Sequence, residues 1–312
     1  MVELGLLEAM AEGPRSLPDL ARHAAAPEAA LERLLVAGVG LGLLSRVGDR
    51  DFALGPQGAA LLGNAGLRDM IVHHRQLYRD LIDPVGLVRR GGGQGDLARY
   101  WAYARSAAPD AAPADAVADY SALMAASVPS FAADVLDAYP FRRHRRLLDV
   151  GGGEGAFLVA AAAAAPNLDL ALFDLPAVVE RARSRLAAAG LASRAHLQGG
   201  DFGKDDLPSG ADLITLVRIV HDHDDPAVLT LLRAIRRALA PGGRLVIAEP
   251  MSLSGGRDRV ADVYFAMYLL AMGHGRARSP AEIADLLKTA GFRDIAFRRT
   301  ASLLSLGLVV AR

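Results

Sequence analysis

The apolar positions divide the chain into two parts with different periodicities. Residues 1–140 carry apolar side chains mainly at helical spacing, whereas from residue 141 onward short apolar runs alternate with amphipathic helical stretches. Alternating strands and helices are typical of a parallel sheet that is covered by helices on both faces. We therefore predict two domains, a mainly helical one over residues 1–140 and an α/β one over residues 141–312.

In the first part, the pattern predicts two helices followed by two short strands. Ser16 is placed to cap the first helix, the second helix begins at Pro27, and the strands flank a turn at residues 47–51. This order is typical of a winged helix-turn-helix. The second helix carries one cation, Arg33, beside two glutamates, whereas a helix that reads DNA is basic. We therefore expect an interface or scaffold role and no binding of nucleic acid.

The second part opens with "LLDVGGGEG", residues 147–155, which predicts a buried strand and a tight turn. Gly151, Gly153 and Gly155 permit the turn, and the helix that follows exposes unpaired N–H groups at its amino end. Such a turn receives a nucleotide-like ligand. The spacing Gly151-x-Gly153-x-x-Ala156 also satisfies the dinucleotide fingerprint, so the glycines leave both NAD and S-adenosyl-L-methionine open.

Two later strands end in residues that suit a nucleoside. The strand "LDLALFDLP" ends at Asp174 and Leu175, about 20 residues beyond the glycines, where a carboxylate can accept hydrogen bonds from both ribose hydroxyls. The strand "AHLQGGDF" ends at Asp201 and Phe202, which suit an adenine amino group and an adenine face. We therefore predict that these four residues bind the cofactor together with Gly151 and Gly153.

The remaining strands distinguish between the two cofactors. "ADLITLVRIVHD" and "PGGRLVIAEP" continue the sheet, and the last segment of the chain predicts a closing antiparallel hairpin. The second part contains no further glycine fingerprint. A terminal hairpin on a parallel sheet, without a second dinucleotide motif, favours S-adenosyl-L-methionine over NAD.

Composition and charge exclude several other classes. With 312 residues, of which 52% are hydrophobic, the chain can bury a sizeable core. The 35 lysines and arginines balance 35 aspartates and glutamates, so no net field attracts nucleic acid or an anionic membrane. There is no cysteine, which excludes disulfides and thiolate chemistry and is typical of a reducing compartment. We expect a cytoplasmic globular protein without a signal peptide or a membrane span.

Five motifs, in their order and spacing, resemble the plant-type small-molecule O-methyltransferases; they are "LLDVGGGEG", "FDLP", "GGDF", "HDHDD" and "GGRLVIAEP". That family carries a winged-helix dimerisation domain before a Rossmann-like catalytic domain. The resemblance covers essentially the whole chain and implies the class I S-adenosylmethionine methyltransferase fold, this cofactor and a homodimer. Family members extend further at the amino end, so the resemblance also implies a shortened start.

Within that family, four segments resemble the bacterial demethylspheroidene (hydroxycarotenoid) O-methyltransferases; they are "MIVHHRQLYRDL", "YSALMAAS", "VLDAYPF" and "DVYFAMYLLAMGHGRARS". This resemblance implies that Tyr120, Met124 and Ser127 line the site. His73 and His74 are candidates for the acceptor pocket. Packing within a helical core is the alternative for Tyr120, Met124 and Ser127.

The segment "HDHDD" allows a metal, a catalytic or a structural interpretation. His221-x-His223-x-Asp225 matches the start of a metallohydrolase signature, but Pro226 stands where that signature has its next histidine. We therefore predict no metal, and a purely structural polar loop remains an alternative. The resemblance implies that His221 is the general base and that Glu249 fixes its tautomer. His223 is expected to shape the site.

Three neighbouring positions qualify this interpretation. Arg218 occupies a position where bacterial relatives often have a cation near the cofactor, although a surface arginine is equally compatible with the pattern. Asp222 is expected to cap the next helix, with orientation of the histidine as the alternative. Plant relatives flank the histidine with a second glutamate, whereas this chain has Ala277 there, before Arg278. That departure makes a plant-like phenol a doubtful acceptor.

The acceptor is expected to be apolar. Residues 263–273, "VYFAMYLLAMG", form an almost uninterrupted apolar helix that either lines a long pocket or packs as core. With Ala277 and the resemblance, this pattern favours the tertiary hydroxyl of an acyclic hydroxycarotenoid, which implies peripheral contact with the inner membrane. The alternatives are an aromatic polyketide or phenol as acceptor, or a cofactor-binding relative that does not methylate.

Overall fold

The computed structural model describes residues 1–101, 114–252, 261–300 and 306–312, without the side chains of residues 114–119 and 261. These residues form two compact units, Met1–Arg75 and Gln76–Arg312. The sequence predicted a division at residue 140, which groups the helices between 76 and 140 with the first part. In the structure these helices belong to the second unit, since they share its hydrophobic clusters.

The first unit contains a three-stranded antiparallel sheet with the order β1-β3-β2. Its elements are α1 (Leu6–Ala9), β1 (Arg15–Ser16), α2 (Leu17–His23), α3 (Glu28–Gly40), β2 (Leu44–Val47), β3 (Asp51–Leu54), α4 (Pro56–Leu62) and most of α5 (Ala65–Asp80).

The predicted order of two helices and a two-stranded wing is confirmed in this unit. The side chain of Ser16 accepts the N–H of Asp19 at 3.2 Å, which caps α2. Leu17, Leu35 and Phe52 are fully buried between the helices and the sheet. The strand β1 was missed, because two residues are too few to show a period of two.

The second unit is built on a seven-stranded sheet with the order β6-β5-β4-β7-β8-β10-β9. Its strands are β4 (Arg146–Val150), β5 (Asp169–Asp174), β6 (Ala195–Gly199), β7 (Ala211–Val217), β8 (Leu239–Pro250), β9 (Ala296–Arg299) and β10 (Leu306–Ala311). Strands β4 to β8 are parallel, whereas β10 pairs antiparallel with both β8 and β9. The predicted parallel sheet with a terminal antiparallel hairpin is therefore confirmed.

Helices cover both faces of this sheet. After α5, the helices of the second unit are α6 (Pro84–Arg90), α7 (Asp96–Tyr100), α8 (Ala114–Ser127), α9 (Pro129–Ala138), α10 (Ala156–Ala164), α11 (Pro176–Ala188), α12 (Asp225–Ala238), α13 (Ala266–Met272) and α14 (Pro280–Thr289), with a π-helical turn at Ala261–Phe265 before α13. Leu147 and Leu148 are adjacent in β4 and belong to different core clusters, because successive side chains of a strand point to opposite faces.

Because both faces of the sheet are covered, a ligand site is expected at the edge where the parallel strands end. Parallel strands all end at the same edge, so the residues that follow β4, β5, β6, β7 and β8 are brought close to one another. Among the described residues, no helix is both long enough and apolar enough to cross a membrane.

Candidate active site

The turn after β4 adopts a backbone that favours glycine. Gly151, Gly153 and Gly155 have φ angles of +71°, +57° and +75°, in the left-handed region. A Cβ on Gly151 would lie 2.5 Å from the Cδ1 of Ile219, so space as well as conformation requires glycine there. A Cβ on Gly153 would have no atom within 4 Å. The turn therefore leaves open space beside Gly153, next to the amino end of α10.

Asp174, at the end of β5, is held against this turn. One carboxylate oxygen accepts the N–H of Gly153 at 2.7 Å and the other accepts the N–H of Leu175 at 2.7 Å. Burial raises the pKa of Asp174 to about 6, although the two N–H groups oppose that rise. The carboxylate is therefore fixed in position, as an acceptor of ribose hydroxyls should be.

Asp149 is a buried carboxyl that the sequence analysis did not single out. It is 1% exposed, and its Oδ1 accepts the hydroxyl of Thr215 at 2.6 Å. Its Oδ2 is buried and has no hydrogen-bond partner among the described residues. Burial raises the pKa of Asp149 to about 7. The signal that was overlooked is an aspartate inside the otherwise apolar run at residues 147–150.

Asp201 and Phe202 follow β6 and face the same space. The Oδ1 of Asp201 accepts the N–H of Gly203 at 2.8 Å, which fixes the loop. The rings of Phe202 and His223 lie 5.2 Å apart and nearly perpendicular. Burial, with the neighbouring His274 and His221, lowers the pKa of His223 to about 4, so this imidazole is neutral at pH 7. His223 therefore shapes the wall as an uncharged ring.

Arg218 follows β7 and has a φ angle of +59°, a conformation that costs a residue other than glycine of order 1 kcal/mol. Its guanidinium donates to the Oγ of Ser127 at 2.9 Å and lies 5.4 Å from the centre of the Phe131 ring. The side chain is half-buried and lines the cavity together with the other predicted cofactor residues. Ser127 of α8 reaches the site through this contact.

His221 and Glu249 are in direct contact at the ends of β7 and β8. The Nδ1 of His221 lies 2.5 Å from the Oε2 of Glu249. The Oε1 of Glu249 accepts the N–H groups of Ile219 at 2.7 Å and Val220 at 2.6 Å. Both residues are almost fully buried. Glu249 thus holds the short helical turn Val220–Asp222 and the ring, with Nδ1 as the donor and Nε2 left to accept.

Asp222 lies on the other side of that ring. Its Oδ1 is 3.1 Å from the Nε2 of His221. The expected capping role of Asp222 is wrong, because the residue that precedes α12 is Asp224. Burial opposes a charge on His221, yet the carboxylates of Asp222 and Glu249 outweigh it and raise the pKa of His221. Asp222 belongs to the short helical turn Val220–Asp222 and not to the entry of α12, so its carboxylate faces the ring of His221.

Arg278 stabilises the same segment from a distant part of the chain. It is 2% exposed and donates to the carbonyls of Val220 at 2.7 Å and His223 at 2.8 Å, and to the carboxylate of Asp225 at 2.6 Å. Asp225 therefore binds a guanidinium. Among the described residues, no group of three histidines or carboxylates is arranged to hold a metal. Ala277, beside Arg278, packs against an apolar cluster of the second unit.

Two candidate histidines lie in the first unit. Burial and the neighbouring His74 lower the pKa of His73 to about 4. The Nδ1 of His74 lies 2.5 Å from the carbonyl of Met70. A role for these side chains in the acceptor pocket stays a prediction.

One open cavity collects the candidate cofactor residues. Its empty volume is about 1240 Å³, a figure that includes the open space at its mouth. All seven predicted cofactor-binding residues line it, together with Asp149, Asp222, His223, Trp101, Tyr120, Met124, Val128 and Phe131. The open space at Gly153, the fixed carboxylate of Asp174 and the unpaired Oδ2 of Asp149 fit a nucleoside-containing ligand with hydrogen-bond donors.

A parallel sheet closed by an antiparallel hairpin, with a nucleoside-sized cavity at its strand ends, defines the class of S-adenosylmethionine-dependent methyltransferases. The O-methyltransferase domain matches residues 81–293, and the chain belongs to that family. It is an S-adenosylmethionine-dependent O-methyltransferase.

Similar proteins agree with this assignment. The chain is 45% identical to the demethylspheroidene O-methyltransferase of Cereibacter sphaeroides, over 95% of this chain and 77% of that protein. It is 41% identical to the enzyme of the same name from Rhodobacter capsulatus, over 96% of this chain and 74% of that protein. The structure of human N-acetylserotonin methyltransferase in complex with S-adenosylmethionine superposes with a TM-score of 0.78, at 25% identity, over 100% of this chain and 91% of that chain.

Proposed function

We propose that this enzyme methylates the tertiary hydroxyl of an acyclic hydroxycarotenoid of the demethylspheroidene type. The observation that carries the proposal is the 45% identity with a demethylspheroidene O-methyltransferase over 95% of the chain, which includes the acceptor side of the cavity. A second protein of that name is 41% identical over 96% of the chain.

The acceptor side of the cavity supports an apolar substrate. Trp101, Tyr120, Met124, Val128 and Phe131 line it with aromatic and aliphatic surface. A substrate with several hydroxyls would leave some of them without a partner against such a wall, at a cost of about 1–3 kcal/mol each. One hydroxyl on a hydrocarbon chain avoids that cost.

The helical segment 263–273 supports the same class of acceptor. Tyr268 and Met272 are buried in an apolar cluster with Trp101, and the indole N–H donates to the Tyr268 hydroxyl at 3.1 Å. The ring of Phe265 lies 5.5 Å from the ring of His221, in an edge-on contact. The segment packs as core and also covers the candidate base with the ring of Phe265. That it lines a long acceptor pocket stays a prediction.

The bound cofactor supplies an activated methyl group on a sulfonium sulfur. Asp174 would hold the ribose of that cofactor, Asp201 and Phe202 would contact its adenine, and Arg218 would add a positive charge on the same wall. The cavity would hold the acceptor oxygen close to the methyl group, and such positioning provides most of the rate. Its apolar wall excludes water from the reaction.

His221 is the general base of the proposed reaction. Glu249 holds the proton on Nδ1, so Nε2 is the nitrogen that accepts. A tertiary alcohol is a very weak acid, so its proton moves as the new carbon–oxygen bond forms. Arg278 keeps the turn that carries His221 in place through the carbonyl of Val220.

A carotenoid acceptor requires access to a membrane surface, and we propose peripheral contact of a cytoplasmic enzyme with the inner membrane. In the second unit, Ile82, Val85 and Val88 are 82%, 58% and 60% exposed, beside the cations Arg89 and Arg90. Apolar side chains flanked by cations suit an anionic membrane interface.

We also propose a homodimer through the first unit, supported by its exposed Val36 and Leu41.

A panel of acceptors tests the proposed substrate. Purified enzyme is incubated with isotope-labelled S-adenosylmethionine and demethylspheroidene in detergent or liposomes, and in parallel with caffeic acid, catechol and an aromatic polyketide. Mass spectrometry is expected to detect label in the hydroxycarotenoid and little in the others. Efficient methylation of catechol or the polyketide, with none of the hydroxycarotenoid, overturns the substrate and leaves the methyltransferase assignment standing.

A further inference from the structure

The candidate base His221 does not line the cavity, but the next residue in the chain does. His221 is 5% exposed and is not among the described residues that line the cavity, whereas its neighbour Asp222 does line it. Both ring nitrogens of His221 already face carboxylates, with Glu249 at 2.5 Å from Nδ1 and Asp222 at 3.1 Å from Nε2. The nitrogen that should accept the acceptor's proton is therefore next to Asp222.

We propose that Asp222 is a further catalytic residue, whose carboxylate meets the acceptor hydroxyl and conveys its proton to the Nε2 of His221. The proposal rests on the proposed function, in which a hydroxyl is the methyl acceptor. Asp222 thus supplies a second carboxylate beside the histidine, where plant relatives have a second glutamate from a different position in the chain. The alanine at residue 277 leaves that glutamate position without a carboxylate.

The atoms and electrons of the step balance. The acceptor oxygen forms a bond to the methyl carbon, and the bond between that carbon and sulfur breaks with its electron pair remaining on sulfur. The acceptor's O–H bond breaks, and its proton bonds to the Asp222 carboxylate and then to Nε2. The step ends with an ether, a neutral thioether, a carboxylate and an imidazolium, and the imidazolium later releases its proton to water.

The charges around Asp222 suit this role. Its burial raises its pKa, while the charges of His221, Arg218 and His274 lower it and Glu249 raises it further. Burial raises the pKa of Tyr268 in α13, and the charge of Asp222 raises it further. A carboxyl with a raised pKa is a better proton acceptor than an exposed one. The sulfonium charge of the cofactor favours the carboxylate form until the methyl group has moved.

The geometry also sets the pH dependence. The competent form has a neutral His221 and an ionised Asp222, so it exists only above the raised pKa of His221. Turnover should increase with pH through that pKa. The charge of Asp222 is one of the causes that raise the pKa of His221, so removal of this carboxylate should lower the pKa of the imidazole.

The test compares Asp222→Asn, Asp222→Ala and the matched control Asp224→Asn. Asp224 belongs to the same segment, but it is exposed and its Oδ1 accepts the N–H of Gly275 at 3.0 Å. Steady-state kinetics with demethylspheroidene are expected to show turnover reduced about 100-fold in both Asp222 variants, and within about twofold of wild type in the control. KM and the affinity for S-adenosylhomocysteine should change little, which shows that the variants fold.

Two further measurements separate catalysis from structure. Formate is expected to restore turnover to Asp222→Ala, where it fills the space of the carboxylate, and not to Asp222→Asn. Nuclear magnetic resonance titration of the ligand-free protein should show a lower pKa for His221 in Asp222→Asn than in the wild type. This second measurement needs no substrate.

Three outcomes overturn the proposal. The first is Asp222→Ala turnover within about tenfold of wild type, which would show that the opened Nε2 takes the proton directly. The second is the same loss in both variants without rescue by formate. The third is an unchanged pKa of His221 in Asp222→Asn. If the wild-type enzyme methylates a phenol or an aromatic polyketide and not the carotenoid, only the proposed substrate fails, and the variants are tested on that acceptor.

Discussion

The carboxylate of Asp174 accepts the backbone N–H of Gly153 at 2.7 Å, although 21 residues separate them. This contact fastens the end of β5 to the glycine turn that follows β4. A second N–H, from Leu175, binds the other oxygen at 2.7 Å. The cofactor site is therefore organised by the backbone of the sheet edge, which is the basis of the first prediction.

Asp174→Ala is expected to weaken the binding of S-adenosylhomocysteine by about 2–4 kcal/mol, because the ribose hydroxyls and the N–H of Gly153 lose their acceptor. Isothermal titration calorimetry measures this loss. Asp169→Ala, at the exposed start of the same strand, should bind as the wild type does. Unchanged affinity of Asp174→Ala would contradict the assignment. NAD should not bind measurably to the wild type.

His221→Ala is expected to reduce turnover about 100-fold or more, because it removes general-base catalysis, and to leave the affinity for S-adenosylhomocysteine intact. Glu249→Gln should have a milder effect of the same kind. Its amide would donate to Nδ1, which would reverse the tautomer, while its oxygen would still accept from Ile219 and Val220. Steady-state kinetics and calorimetry together check both variants. Loss of cofactor affinity in His221→Ala would argue against a role confined to the base.

EDTA is expected to leave the rate unchanged, because the polar groups of the segment "HDHDD" bind protein partners. Asp225 binds Arg278 at 2.6 Å and His221 binds Glu249. The measurement is the initial rate before and after dialysis against the chelator. A loss of activity that zinc restores would revive the interpretation of His221, His223 and Asp225 as metal ligands.

The buried carboxyl of Asp149 should make the ligand-free enzyme less stable as pH rises. Burial raises its folded-state pKa from 3.8 to about 7. The neutral carboxyl contributes its full share to the stability of the folded enzyme below the pKa that Asp149 has in the unfolded chain. That contribution is lost as the pH rises through the folded-state pKa. Asp149→Asn keeps the contact with Thr215 and cannot ionise, so its melting temperature should exceed that of the wild type at pH 8 and not at pH 4. Equal differences at both pH values would contradict this account.

Light scattering is expected to give a homodimer, because the first unit exposes apolar side chains such as Val36 and Leu41 that association would cover. Replacing both residues with serine should shift the protein toward the monomer without unfolding it, since neither is buried. A monomeric wild type at micromolar concentration would count against the dimer.

Much of the architecture and the cofactor site was predictable from sequence because those features depend on local patterns. The periods of apolar residues predicted the strands β4 to β8 and their helices. The glycines at 151, 153 and 155 predicted a tight turn, in which all three have positive φ angles. Asp174, Asp201 and Phe202 were found because parallel strands end at one edge. His221 and Glu249 were paired by the resemblance to a known family.

The remainder depended on tertiary contacts, since burial and distance arise only when remote segments pack together. Asp149 has an oxygen without a partner among the described residues, because helices cover both faces of β4, which periodicity does not reveal. Arg278 holds the carbonyl of Val220 across 58 residues. The position of Asp222 against the Nε2 of His221 follows from a turn held by Glu249, whereas the sequence favoured a helix cap and offered orientation of the histidine only as the alternative. The motifs identified most of the groups in the candidate site, and packing added Asp149 and decided which groups touch, because charge interactions depend on distances that only the folded chain sets.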